Sequence, residues 1–427
     1  MSQPPAPTLS REAGLPSLIA IAVNGVVGSG IFVLPATVAA LMGPSSPTAH
    51  VVAATVTAII VLCFAEAGSR FDETGGPYIY AREAFGSFVG FEVGWMFFLS
   101  RLAAAAAIGN ALVSYAAYFL PDLGAGFPRV ALLTIVLGGF AAANVAGVRY
   151  GAAIVNVFTI AKLGPLLLFV AAGWWLTRPE AYRLFDLAHA APLREASLLL
   201  IFAFGGFENA AVPAGEAKLP RRHVPIALVA AIALTAVLYV LIQIVAIAAL
   251  PSIAESETPL ASAAAAFLGA PGAAILTLGA VISTAGSVSA LSLVGPRILY
   301  ALGAGRQMPA ALARVHPSFR TPHVAIVVFA ACAWAVAIAG SFAELAAISA
   351  IARLVFSATT CLAVPVLRRR GDRPARFLLP GGPVIPLLGA AVAVWLLTAI
   401  SARQAVAGLL AAGTGALLYL LFARPKA

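Results

Sequence analysis

The sequence has 427 residues, of which 62% are hydrophobic and only 10% charged, with a net charge of +10. Soluble domains are about 45–50% apolar and about 25% charged, so a soluble enzyme or scaffold of this size is excluded. The basic balance does not mark a nucleic-acid binder either, because the Lys and Arg residues sit in short loops between apolar runs, where orientation rules place them.

In chain order, the first segment is polar and Pro-rich over 1–15 and lacks the pattern of a cleaved signal peptide. Apolar runs then recur, each long enough to cross a hydrocarbon core of about 30 Å. Twelve spans are predicted, at 15–40, 48–70, 87–119, 129–147, 151–176, 196–217, 224–250, 271–303, 323–341, 344–367, 383–400 and 404–423. Short amphipathic pieces are predicted at 77–85 and near 258–268. No loop is long enough to fold alone, the longest being 177–195, so 1–427 is expected to form one membrane domain. Of the 26 basic residues, 18 fall on the side shared by both ends and five on the other. That asymmetry places both termini in the cytoplasm and the chain in the cytoplasmic (inner) membrane. The remaining three, Arg101, Lys162 and Arg353, fall inside spans.

Two spans carry glycine breaks near their middles: Gly25-Val26-Val27-Gly28-Ser29-Gly30-Ile31-Phe32 and Phe204-Gly205-Gly206-Phe207-Glu208. Unpaired backbone at membrane depth survives only against protein or a watery cavity. Paired interrupted helices in two halves of a chain point to a transport site. A half-helix restarting after Ser29 and Gly30 offers free N–H groups and a positive dipole end to a carboxylate. Carbonyls freed at Val26, Phe202 and Gly205 suit an ammonium group. An α-amino acid carries both charges. The alternative use of these glycines is tight helix packing.

Lys162 sits mid-span, where a charged lysine costs about 2.5–3.5 kcal/mol on insertion scales. A lysine held there can release and regain a proton, or it can stay charged and pin helices together. Arg101 and Arg353 need partners when buried. Two readings stay open for them: recognition of an acidic side chain, or an internal pair with Glu208, Glu92 or Glu344. Either way, fixed positive charge argues against cationic substrates. Glu66 and Arg70, with Asp72, Glu73, Arg82 and Glu83, form either a gate network or a solvated helix end.

The cysteines (Cys63, Cys332, Cys361) are isolated and the five histidines lie near span ends or in loops, so no metal site, disulfide framework or cofactor is expected. A membrane enzyme lacks its catalytic set here. A channel fits two broken helices less well than an occluding site does.

Four motifs in order resemble the amino acid–polyamine–organocation (APC) superfamily. They are Gly28-Ser29-Gly30-Ile31-Phe32; Ala65-Glu66-Ala67-Gly68-Ser69-Arg70-Phe71 with Thr74-Gly75-Gly76-Pro77-Tyr78; Phe204-Gly205-Gly206-Phe207-Glu208 with Lys218-Leu219-Pro220-Arg221-Arg222-His223-Val224-Pro225; and Arg297-Ile298-Leu299-Tyr300-Ala301 with Pro309 and His316-Pro317. The resemblance implies an all-α, leucine-transporter-type fold. Two inverted five-helix repeats, about 15–176 and 196–367, would be followed by extra helices at 383–423. It implies a secondary transporter of amino acids, proton-coupled or exchanging, with lipid, amino acid and proton as partners; a homo-oligomer is compatible. Carried over by position, Val26, Ser29 and Gly30 would hold the substrate carboxylate, and Phe202 and Gly205 its ammonium. Arg101 would line the side-chain pocket. Phe202 would also gate, though it is Phe where the arginine/agmatine antiporter has Trp. Glu208 would be a proton-sensitive gate or a brace for the unwound stretch. Lys162 would carry the proton, facing carbonyls near Gly25 and the hydroxyl of Ser283, with Thr284 as a substitute.

Overall fold

The computed structural model describes residues 13–177, 190–398 and 400–423. Arg11, Arg178, Arg183, His189, Arg424 and Lys426, and most of the loop expected at 177–195, lie outside them. The fold is helical throughout; among the described residues the only β-pairing is an isolated bridge between Ala13 and Ala217. Fourteen α-helices follow one another: α1 Leu15–Val26, α2 Gly30–Met42, α3 Ser46–Gly68, α4 Pro77–Phe85, α5 Ser87–Ala117, α6 Gly126–Ala146, α7 Val148–Leu176, α8 Ala190–Ala203, α9 Pro220–Ala249, α10 Pro259–Ala304, α11 His323–Ala339, α12 Phe342–Arg370, α13 Val384–Leu397 and α14 Ala402–Phe422.

The boundaries have local causes. Proline stands at the first helical position of α4, α9 and α10, where its missing N–H costs nothing. The short piece expected at 77–85 is α4. The other, expected near 258–268, is the opening of α10, which runs on through one non-helical residue, Gly269 (φ 68°). Among the described residues, nine segments are apolar and long enough to cross a membrane, the first of them joining α1, α2 and α3; α11 and α13 are shorter apolar helices. Outward faces carry large apolar side chains, such as Ile160 (76% exposed), Trp175 (86%) and Leu420 (78%). An apolar wall of that extent is a lipid-facing surface. The chain is a multi-pass membrane protein.

α1, α2 and α8 lie at the centre. α1 packs on α9, α7 and α10, and α2 packs on α8, while α13 and α14 stay at the periphery against α3, α5 and α12. Buried ion pairs lock one end of the bundle. Glu216, just after the α8 break, accepts two bonds from Arg297 of α10, at 2.8 and 3.1 Å. Glu66 of α3 accepts from Arg70 at 2.9 Å, from Arg368 at 2.7 Å and from the Leu379 N–H at 2.9 Å. Glu66 and Arg70 are therefore buried bridges rather than a solvated helix end. Glu73, Arg82, Glu83 and Arg373 beyond them form the partly exposed pairs that such an end carries.

Candidate functional site

Both glycine segments are breaks in the backbone. α1 stops at Val26 and α2 starts at Gly30. α8 stops at Ala203, Gly206 takes φ 114°, and two short 3-10 turns, Phe207–Ala210 and Val212–Glu216, follow. The breaks touch. A Cβ on Gly25 would stand 2.5 Å from the Gly206 carbonyl oxygen and 2.6 Å from the Asn209 amide nitrogen. Glycine is required because two backbones cross there with no room for a side chain. Gly25→Ala is thus expected to lower folded yield and abolish uptake, whereas Gly138→Ala, with nothing within 4 Å, is expected to be silent. Size-exclusion profiles and labelled amino acid uptake read both.

A narrow cavity lies at the crossing, lined by Val26, Ser29, Gly30, Arg101, Phe202, Gly205 and Arg353 among others. Every residue the sequence assigned to substrate is at this cavity. The N–H groups of Ser29, Gly30 and Ile31 make none of the described backbone hydrogen bonds. The Ser29 hydroxyl is buried and unpartnered. On both segments of the crossing the carbonyls are less available than the sequence suggests. Val26 O accepts from the Tyr239 hydroxyl at 2.8 Å and from the Gly28 N–H at 2.8 Å. Phe202 O accepts from the Gly205 N–H at 3.2 Å and from Arg353 Nη1 at 3.5 Å.

Behind the cavity, Glu208 lies between two guanidinium groups. Its Oε1 accepts from Arg101 Nη2 and from Arg353 Nε, both at 2.9 Å, and its Oε2 accepts from the Gly206 N–H at 2.9 Å. Arg101 and Glu208 are fully buried and Arg353 is 4% exposed. Both arginines therefore have the internal partner Glu208, not Glu92 or Glu344. The same carboxylate also braces the unwound stretch through Gly206. Arg101 donates further to Asn209 Oδ1 at 2.8 Å and Ser100 Oγ at 3.2 Å.

Lys162 lies on the far side of α1. It projects inward from α7, opposite the lipid-facing Ile160 two residues earlier, and is fully buried. Its Nζ donates to Asn24 O at 3.1 Å, Val27 O at 2.5 Å and Ser287 Oγ at 3.3 Å. The hydroxyl facing the ammonium is that of Ser287, not the expected Ser283. Ser283 donates instead to the same Val27 O at 3.1 Å. The carbonyls are those of Asn24 and Val27, either side of Gly25. Thr284 bonds back to its own helix at Ala280 and Val281, so it is no substitute. Besides Ser287 and Asn209, two further residues carry no expectation from the sequence. Tyr239 of α9 bridges the breaks through Val26 O and, at 3.4 Å, Ala203 O. Asn24 ties α1 to Gly286 O of α10 at 3.0 Å. The signal for both was a polar group inside an apolar run, with nothing to say what it faced.

The amino acid permease family model matches residues 14–422. The chain belongs to that family. It is thus an APC superfamily permease, a transporter and not an enzyme, and its relatives support amino acid transport as its task. The serine/threonine exchanger SteT of Bacillus subtilis (strain 168) is 28% identical, over 91% of each chain. The methylthioribose transporter of the same organism is 26% identical, over 98% of this chain and 94% of its own. The branched-chain amino acid permease BcaP, also from that organism, is 28% identical with the same coverage. The family match over residues 14–422 takes in both broken helices.

Proposed function

We propose that this permease is a proton-coupled secondary transporter of amino acids in the inner membrane, with both termini cytoplasmic. The single observation that carries the coupling is the buried Lys162 Nζ, held by Asn24 O, Val27 O and Ser287 Oγ against the broken α1. A charged ammonium satisfies those acceptors and ties α7, α1 and α10 together. On losing its proton it keeps fewer donors and its hold on α1 slackens. Protonation thereby biases which arrangement of the central helices is preferred. The substrate carboxylate sits on the free N–H groups at the start of α2 and the Ser29 hydroxyl. The breaks lie in the opening helix of each of two inverted repeats, 15–176 and 196–367. These central helices rock against the rest, opening each side in turn.

A second reading is obligatory exchange without net proton movement, with Lys162 permanently charged. The relative named as a serine/threonine exchanger favours it. Proteoliposomes given a panel of labelled amino acids separate the two. Symport predicts accumulation above the outside concentration under an inward proton gradient alone. Exchange predicts uptake only when the lumen is preloaded with amino acid, with no response to the gradient.

A further inference from the structure

The charges around the cavity do not balance. Two guanidinium groups, Arg101 and Arg353, share one carboxylate, Glu208, and none of the described residues lining the cavity is acidic. Lys162 does not redress this, being spent on the far side of α1. Glu208 supplies a single negative charge, and its Oε1 already accepts from both guanidinium groups while its Oε2 accepts from the Gly206 N–H. One positive charge is therefore in surplus in a site walled by protein, where an uncompensated charge is costly.

The surplus is presented to the cavity by Arg353. Its Nη1 lies 3.3 Å from Ile201 O and 3.5 Å from Phe202 O, on carbonyls exposed by the end of α8. Gly205 makes room for it: a Cβ there would collide with the Arg353 guanidinium. The second terminal nitrogen of Arg353 makes none of the described hydrogen bonds, and Arg101 Nε is buried without a partner. With the Ser29 hydroxyl also unpartnered, the cavity is rich in donors and poor in acceptors. Moreover, Arg353 covers the carbonyls that a substrate ammonium needs.

We infer that the substrate is an amino acid with a carboxylate side chain, and that Arg353 is the residue that selects it. The inference rests on the amino acid transport proposed above. A neutral amino acid enters as a zwitterion with no net charge. Its ammonium displaces Arg353 from Ile201 O and Phe202 O and offers the guanidinium nothing in return, so the surplus charge persists. An aspartate or glutamate brings one negative charge more. Its ammonium takes the carbonyls, and Arg353, on its long stem, moves to the side-chain carboxylate, which accepts a planar guanidinium through two parallel bonds. Cationic amino acids are rejected by like charge.

The test uses the purified full-length protein and competition of labelled L-glutamate by L-aspartate, L-glutamine, L-leucine, L-arginine and 2-oxoglutarate. L-Glutamine, matched in shape but uncharged, is expected to bind at least ~10-fold more weakly than L-glutamate. Arg353→Gln is expected to erase that preference, and Arg353→Lys to retain part of it. Should Arg353→Gln fail to fold, the wild-type glutamate-to-glutamine ratio and the Arg353→Lys variant decide. Equal or tighter binding of glutamine or leucine to the wild type overturns the acidic-substrate inference and leaves amino acid transport standing. So does a preference for glutamate that survives in Arg353→Gln. Binding of no amino acid, by direct labelling or competition, overturns the transport reading and this inference with it; binding of 2-oxoglutarate alone is that outcome.

Discussion

Replacing Lys162 by alanine is expected to abolish the response of amino acid uptake to an inward proton gradient. The change removes a titratable group bonded both to the break in α1 and to Ser287 in α10. It does not strand the acceptors that Lys162 serves. Ser287 Oγ lies 3.2 Å from Asn24 O and 3.3 Å from Val27 O, and Ser283 Oγ lies 3.1 Å from Val27 O. These hydroxyls continue to satisfy the broken backbone, so the variant is expected to fold, which a size-exclusion profile checks. What disappears is the protonation-dependent bias. Accumulation in proteoliposomes is expected to fall to the level seen without a gradient. Counterflow above that of empty liposomes separates lost coupling from lost folding. Gradient-driven uptake at the wild-type level in this variant would falsify the coupling role.

The helices of this permease are legible in its sequence because bilayer thickness and apolar run length are tied together by the helical rise. Even the short α4 is readable, since Pro77 opens it and Gly86 (φ 94°) follows it. The breaks are readable for a similar reason: glycines in mid-span have few uses. Partnership is another matter. Ser283 and Ser287 are one turn apart on the same face of α10, and periodicity cannot say which reaches Lys162. Arg353 and Glu208 are separated by 145 residues in sequence, and only the packing of α12 on α8 brings them together. The same holds for Tyr239, whose hydroxyl finds carbonyls on two elements far from it along the chain. Charge inside an apolar run announces that a partner exists; only the folded arrangement supplies its name.

Glu208→Gln is expected to be the most destabilising single substitution in the bundle. The carboxylate neutralises two buried guanidiniums at 2.9 Å each and holds the Gly206 N–H, so one residue serves two ion pairs and the unwound segment. Removing one partner of a buried ion pair costs about 3–5 kcal/mol, because the charge left behind is neither paired nor hydrated. Here two like charges are left, facing each other across the vacated position. Glutamine keeps the size but supplies one carbonyl where two charged oxygens stood, and its amide N–H₂ points donors at donors. A marked fall in melting temperature of the detergent-purified protein is therefore expected, with loss of uptake. The decisive arm is the double variant Glu208→Gln/Arg353→Gln. If the damage comes from uncompensated charge, removing Arg353 relieves it, and the double variant is more stable than Glu208→Gln alone. Independent contributions would instead add, making the double variant the less stable of the two. That second outcome would mean the carboxylate acts through Gly206 and the shape of the break rather than through the arginines. Melting curves of Glu208→Gln, Arg353→Gln and the double variant distinguish these causes without any transport assay.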